Sequence, residues 1–290
     1  MDDEYYISLI ERMSELLKDF DNAPNDDIIN VAQSINVDSL YNIPLKSHIA
    51  LYRARYSNGF DDTGLEQFSY IHNVDIIRQL RYNKANEPVL YTATNPVIAY
   101  KEIESPEKSG PFYLSVWRPE AELVYSFLFD PHNCNSGTNA EKLTRILIEK
   151  LGESSVGYDY LDKIGQLMEH EGTNYYFSSE LASKIFERID ALVSVSAKSN
   201  GSELNITFRK NAVDNAVKMH YVLFCEKMDN QFFYVQKIGL LEGNSVVWYH
   251  LKLDEDSFEL KGSANGTTDK LWDMIKKNPL KMSPVFIDRI

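Results

Sequence analysis

A chain of 290 residues and 33.4 kDa, with 43% hydrophobic and 25% charged residues, reads as a globular protein with room for one large core. Its net charge of −13, from 30 basic and 43 acidic residues, repels a phosphate backbone and excludes nucleic acid as the main partner. No apolar run reaches the roughly 18 residues of a membrane span, and the acidic start MDDEYY is the reverse of a signal peptide's basic leader, so a cytoplasmic protein with no membrane partner is expected.

Ile7, Ile10, Met13, Leu17 and Phe20 recur at helical spacing, and Leu9 and Leu16 widen the stripe. The spacing predicts an amphipathic helix over 3–20. Asn22 to Asp27 is a turn cluster, and a second helix is expected over 26–35. Residues 1–40 hold 10 acids and 2 bases. A solvated acidic helix face accounts for them, with a surface for a basic protein as the alternative. Residues 1–46 thus form an N-terminal helical segment.

From Ser47 the pattern changes to short runs rich in β-branched and aromatic residues: HIALYRARY, PVLYTAT, FYLSVW and AELVYSFLF. Each has the length and composition of a strand. Helical stretches follow at 139–151, 158–169 and 178–188, then the strands ALVSVSA and LNITF. Residues 47–216 make the core unit. From Val217, four alternating runs separated by short turn signals predict an antiparallel meander over 217–290, closed by a helix at Thr268 to Lys277. The fold class is α+β with a mixed, mostly antiparallel sheet.

Phosphate loops, dinucleotide fingerprints, HExxH and GxSxG are all missing from the sequence. Six histidines are scattered without ligand spacing, and the loop DPHNC at 130–134 reads as a surface turn, so no metal is expected. Cys134 and Cys225 give no disulfide framework and are expected as free thiols.

The acid that invites chemistry is Glu102. Asn95 is suited to cap a helix and Pro96 to start it, so a helix runs to about Glu104 and stops before Pro106. Helical geometry sets Glu102 between Ile98 and Ala99, pointing inward. An inward carboxylate is either paired with an arginine or used, and these readings stand on equal footing. In LYRARY, Arg53 and Arg55 share one strand face; turned into a pocket, either guanidinium suits a pyrophosphate or carboxylate. Arg81 is a third candidate. In DALVSVSA, Ser194 and Ser196 share a face, but with no histidine nearby a serine nucleophile is not indicated.

Taken together these pieces resemble the RES-domain family, named for an arginine, a glutamate and a serine. Leu51-Tyr52-Arg53-Ala54-Arg55 resembles its first block. Arg81-Tyr82-Asn83, Pro88 to Ala93, Ala99 and Glu102 resemble its second, and Asp190 to Ser196 with Asn205 its third. Leu80, Asn86-Glu87 and Ala191 stand where the family pattern has glycines, and Ser194-Val195 where it has Tyr-Pro. The resemblance implies a split mixed sheet like that of ADP-ribosyltransferases, with flanking helices. It implies NAD+ as substrate, no separate cofactor, and a partner antitoxin or regulatory protein. Within it, Glu102 is the catalytic acid group, Arg53 and Arg81 hold the pyrophosphate or ribose side of NAD+, and Tyr82, Asn83 and Tyr91 belong to the binding site. Ser196, favoured over Ser194 by position, positions the substrate. The resemblance implies cleavage of the nicotinamide–ribose bond of NAD+, by hydrolysis or phosphorolysis, in a toxin or defence effector, with ADP-ribosyl transfer to a macromolecule or binding without turnover as the alternatives. A homo-oligomer is also compatible with it, and the sequence marks no interface for one.

Overall fold

The computed structural model describes residues 3–40, 42–45, 49–58, 61–128, 131, 134–152, 155–170, 175–229, 232–254 and 257–262. Helix α1 spans Asp3–Lys18 and buries Leu9, Met13 and Leu16. Helix α2 spans Asn25–Ser34 and buries Ile28, Val31 and Ala32. The first helix is thus shorter than expected, and its stripe is rotated. Ile7 is exposed, whereas Phe20 is buried from a 3-10 turn beyond the helix end. Leu9, Met13, Phe20 and Ile28 belong to the same apolar cluster as Leu192 and Phe208 of the sheet.

Strand β1 (Asn42–Leu45) was not anticipated; four residues that include Pro44 carry little strand signal. The expected strands follow: β2 (Leu51–Tyr56), β3 (Val89–Ala93), β4 (Phe112–Pro119) and β5 (Leu123–Phe127), with α3 (Pro96–Ile103) after β3. Three helices come next, α4 (Asn139–Leu151), α5 (Val156–Met168) and α6 (Tyr176–Phe186). They lead into β6 (Ala191–Val195), β7 (Leu204–Arg209) and the short, unanticipated helix α7 (Lys210–Ala216). The chain continues through β8 (Val217–Asp229), β9 (Phe232–Glu242), β10 (Ser245–Asp254) and β11 (Ser257–Gly262). The expected closing helix at 268–277 and His132 lie outside the described residues. Cys134 and Cys225 form no disulfide among the described residues, as expected, and Cys225 is fully buried. Among the described residues, no helix is long and apolar enough to cross a membrane.

The eleven described strands join one sheet in the order β1-β5-β6-β7-β3-β2-β4-β8-β9-β10-β11. Among the described strands, only β5 and β6 pair in parallel. A parallel neighbour needs a crossover rather than a hairpin, and α4, α5 and α6 supply it. The class is therefore α+β with a mixed, mainly antiparallel sheet. Helix α1 packs on α5, and α2 on α6. Helix α3 packs on β2, over a second apolar cluster that includes Ala54, Ile98, Leu114 and Leu223.

One seam in the sheet differs from the rest. Strand β2 pairs with β4 from Leu51 to Tyr56, and β3 pairs with β7 from Val89 to Ala93. Between β2 and β3 the ladder has a single pair, Tyr52 with Ala93. Beyond that pair the two strands diverge, and their backbone groups face a gap.

Candidate functional site

A cleft of about 750 Å³ opens at this seam. Its walls are Tyr52 to Arg55 of β2, Tyr91 to Ala93 of β3, and Ala99, Glu102 and Ile103 of α3. Leu80, Arg81, Tyr82 and Tyr175 line it from loops; Ser194, Val195, Ala197, Lys198 and Asn205 line it from β6, β7 and their connection. Four cationic side chains and one carboxylate thus share an opening in an acidic protein.

Glu102 comes from α3, which starts as expected: Asn95 Oδ1 accepts the Val97 amide at 2.9 Å, with Pro96 in the first position. Its last turn overhangs the cleft. Glu102 is therefore exposed, not buried in the core as helical geometry alone suggested. Because water and the cleft solvate it, no arginine is needed to balance it. Its Oε1 accepts two hydrogen bonds, from Ser196 Oγ at 2.8 Å and Asn205 Nδ2 at 2.8 Å. No described residue donates to Oε2. One oxygen is held and the other is open to the cleft.

Ser196 is fully buried. Its hydroxyl donates to Glu102 and accepts the Lys198 amide at 3.2 Å, capping the turn Ala197–Ser199. A hydroxyl committed in both directions positions the acid and is not a free nucleophile. Ser194 is the serine that lines the cleft, with its hydroxyl against that of Tyr82. The two serines divide the work: Ser196 holds Glu102 from behind, and Ser194 faces the opening.

Arg53 reaches across the seam. Its Nη1 donates to the Tyr91 carbonyl at 3.4 Å, while Nε is buried without a partner. Burial first, and the neighbouring Arg55 second, lower its pKa to about 9. A guanidinium so placed lacks a counter-charge and favours an anionic ligand. Arg55 donates from Nη1 to the Gln67 carbonyl at 2.5 Å, which ties β2 to the loop at 65–67.

The segment Arg81-Tyr82-Asn83 splits between cleft and support. Arg81 pairs with Glu169 at 2.5 Å, and the buried Tyr82 donates its hydroxyl to the same carboxylate at 2.5 Å. Burial, and then Glu169, raise the Tyr82 pKa well above its ordinary value, so it remains a donor. Asn83 does not line the cleft and is 1% exposed. Its Nδ2 donates to the carbonyls of Arg78 and Lys84 at 2.9 and 2.8 Å, and its Oδ1 accepts the Tyr91 hydroxyl at 3.0 Å. The Tyr91 hydroxyl in turn accepts the Tyr82 amide at 3.0 Å. Asn83 is therefore a clamp on the loop that carries Arg81. Replacing it by alanine removes three hydrogen bonds made by a buried side chain and is expected to cost about 2–4 kcal/mol, read as a lower midpoint in urea unfolding.

Where the family pattern has a glycine after Asn83, Asn86 adopts φ 66°. Asparagine tolerates this left-handed conformation better than other non-glycine residues. Glu169, Tyr175 and Lys198 were not anticipated as site residues. Glu169 is 88 positions from Arg81, and no local pattern signals that contact. Among the described residues no cluster of acids, histidines or cysteines could hold a metal ion.

No family model matches the chain, and no curated protein matches it. Among solved structures, the chain is similar to one described as "Crystal structure of the M.tuberculosis MbcT-MbcA toxin-antitoxin complex". The identity is 12%, the TM-score 0.40, and the match covers 70% of this chain and 94% of that one.

Proposed function

We propose that the protein cleaves the nicotinamide–ribose bond of NAD+, by hydrolysis or phosphorolysis, and acts as a toxin or defence effector by depleting NAD+. The observation that carries this reading is Glu102, clamped through Oε1 by Ser196 and Asn205, with Oε2 open to a cleft that also presents Arg53. When the carbon–nitrogen bond breaks, its electron pair leaves with nicotinamide and cancels the ring's positive charge. No general acid is needed. The positive charge passes to the ribose carbon and ring oxygen, and a fixed carboxylate stabilises that oxocarbenium-like state where it forms. Water or phosphate then bonds to the ribose carbon, and the proton lost by water passes to solvent or Glu102. Arg53 holds the pyrophosphate, whose negative charge supplies the counter-ion that the buried guanidinium lacks.

Exposure of Glu102 at the cleft mouth favours one second reading. A macromolecular side chain can reach the same ribose carbon, giving ADP-ribosyl transfer. The protein's acidic surface and the family resemblance support a regulatory protein partner in either case. Incubation with NAD+, with and without phosphate, is expected to release nicotinamide. If none appears, the catalytic readings fall and ligand binding without turnover remains. If release requires an added protein that becomes labelled, transfer replaces hydrolysis.

A further inference from the structure

We propose that Glu169 is a positioning residue for the cleft, holding Arg81 and Tyr82 in place while the N-terminal segment anchors the end of α5 that carries it. The inference rests on the reading of the cleft as an NAD+ site. Arg81 sits on a tight turn in which Leu80 and Asn83 bond each other's backbone at 3.0 and 3.4 Å. Such a turn fixes the backbone but leaves a long side chain free to rotate. Glu169 removes that freedom. Oε2 takes Arg81 Nη1, and Oε1 takes the Tyr82 hydroxyl, so one carboxylate spends both oxygens on two consecutive residues. The carboxylate side chain is 10% exposed and that of Arg81 23%, so the pair is shielded from solvent while Arg81 still lines the cleft. With one Nη engaged, the guanidinium keeps other N–H groups for a ligand.

Glu169 is itself held. Its amide closes the last turn of α5 on the Gly165 carbonyl at 3.0 Å. The next residue, His170, turns the other way. Its ring lies 4.5 Å from that of Phe20, tilted by 48°, and its Nε2 is 3.3 Å from Asp21 Oδ1. Phe20 is 2% exposed, whereas the Asp21 side chain is 69% exposed, so the ring contact is buried and the polar contact lies at the surface. Two adjacent residues therefore tie the N-terminal segment to a cleft arginine.

A carboxylate beside a ligand-binding arginine has two opposite effects. It orients the guanidinium, and it competes with an anionic ligand for it; the KM of a charge-removing variant tells which dominates. Glu169→Gln keeps the side chain's shape and an oxygen for Tyr82. Positioning predicts that it raises KM for NAD+ about tenfold, with kcat changed by less than about threefold. His170→Ala is expected to raise KM about threefold, and to add nothing in the Glu169→Gln background, because its effect passes through Glu169. A lower or unchanged KM in Glu169→Gln overturns the proposal, as does full additivity of the two variants. Hydrogen exchange at the Tyr82 amide, which bonds the Tyr91 hydroxyl, gives a readout without ligand. If the wild-type chain releases no nicotinamide, the NAD+ reading falls by itself. Faster exchange of that amide in Glu169→Gln then still supports positioning, and unchanged exchange overturns it.

Discussion

Glu102→Gln is expected to slow nicotinamide release by about 10³-fold, the scale of losing one preorganised electrostatic contact to a transition state. Glutamine keeps an oxygen where Oε1 accepts from Ser196 and Asn205, so both hydrogen bonds survive. Only the charge is lost, and in the proposed reaction it is lost where the ribose becomes cationic. Because Glu102 is exposed, the substitution neither relieves nor creates a buried charge, and the variant is expected to unfold at the same urea concentration as the parent. Ser196→Ala provides the contrast. If the serine were the nucleophile, its loss would match that of Glu102. As one of two donors to a carboxylate oxygen, it is expected to cost only about tenfold. Equal rates for Glu102→Gln and the parent remove the carboxylate from the mechanism.

The contrast between strands and cleft shows what a sequence can reveal here. In β2 and β6 the period of two set side chains on alternate faces, so Arg53 with Arg55, and Ser194 with Ser196, were legible as pairs. The cap at Asn95 and the start at Pro96 likewise placed α3. Whether Glu102 met core or solvent was not legible. That depends on the divergence of β2 from β3 after one pair, and the partners that draw them apart, β4 and β7, lie far along the chain. Asn83 illustrates a second limit. Side by side in sequence with Arg81, it reads as part of one binding segment, yet its side chain is spent on the loop and on Tyr91. Glu169 was invisible because its meaning arises only when the end of α5 arrives beside the loop at 80–83.

Arg53→Met is expected to make the unliganded protein more stable while removing most of its affinity for NAD+. Burial and Arg55 lower the Arg53 pKa to about 9, well below the ordinary guanidinium value that the unfolded chain retains. The folded state therefore binds this proton less tightly than the unfolded one, and below about pH 9 the penalty for burying the charge is fully present. It fades only as pH rises above about 9 toward the ordinary guanidinium value, so neutral pH carries the whole cost. Methionine fills a similar volume without charge, and replacing an uncompensated buried ion in this way stabilises by about 1 kcal/mol or more. A rise of a few degrees in Tm is the expected reading. On the proposed reading the pyrophosphate of NAD+ supplies the missing counter-charge, so losing Arg53 is expected to weaken binding by roughly 1.5–3 kcal/mol, about ten- to hundredfold. Both effects can be followed in one thermal-unfolding series made in the Glu102→Gln background, where the ligand survives the measurement. NAD+ should raise Tm when Arg53 is present, and hardly move it when methionine replaces it, because stabilisation follows the ratio of ligand concentration to Kd. A lower unliganded Tm together with an undiminished NAD+ shift would show that Arg53 serves the seam between β2 and β3 through its bond to the Tyr91 carbonyl, and not the ligand.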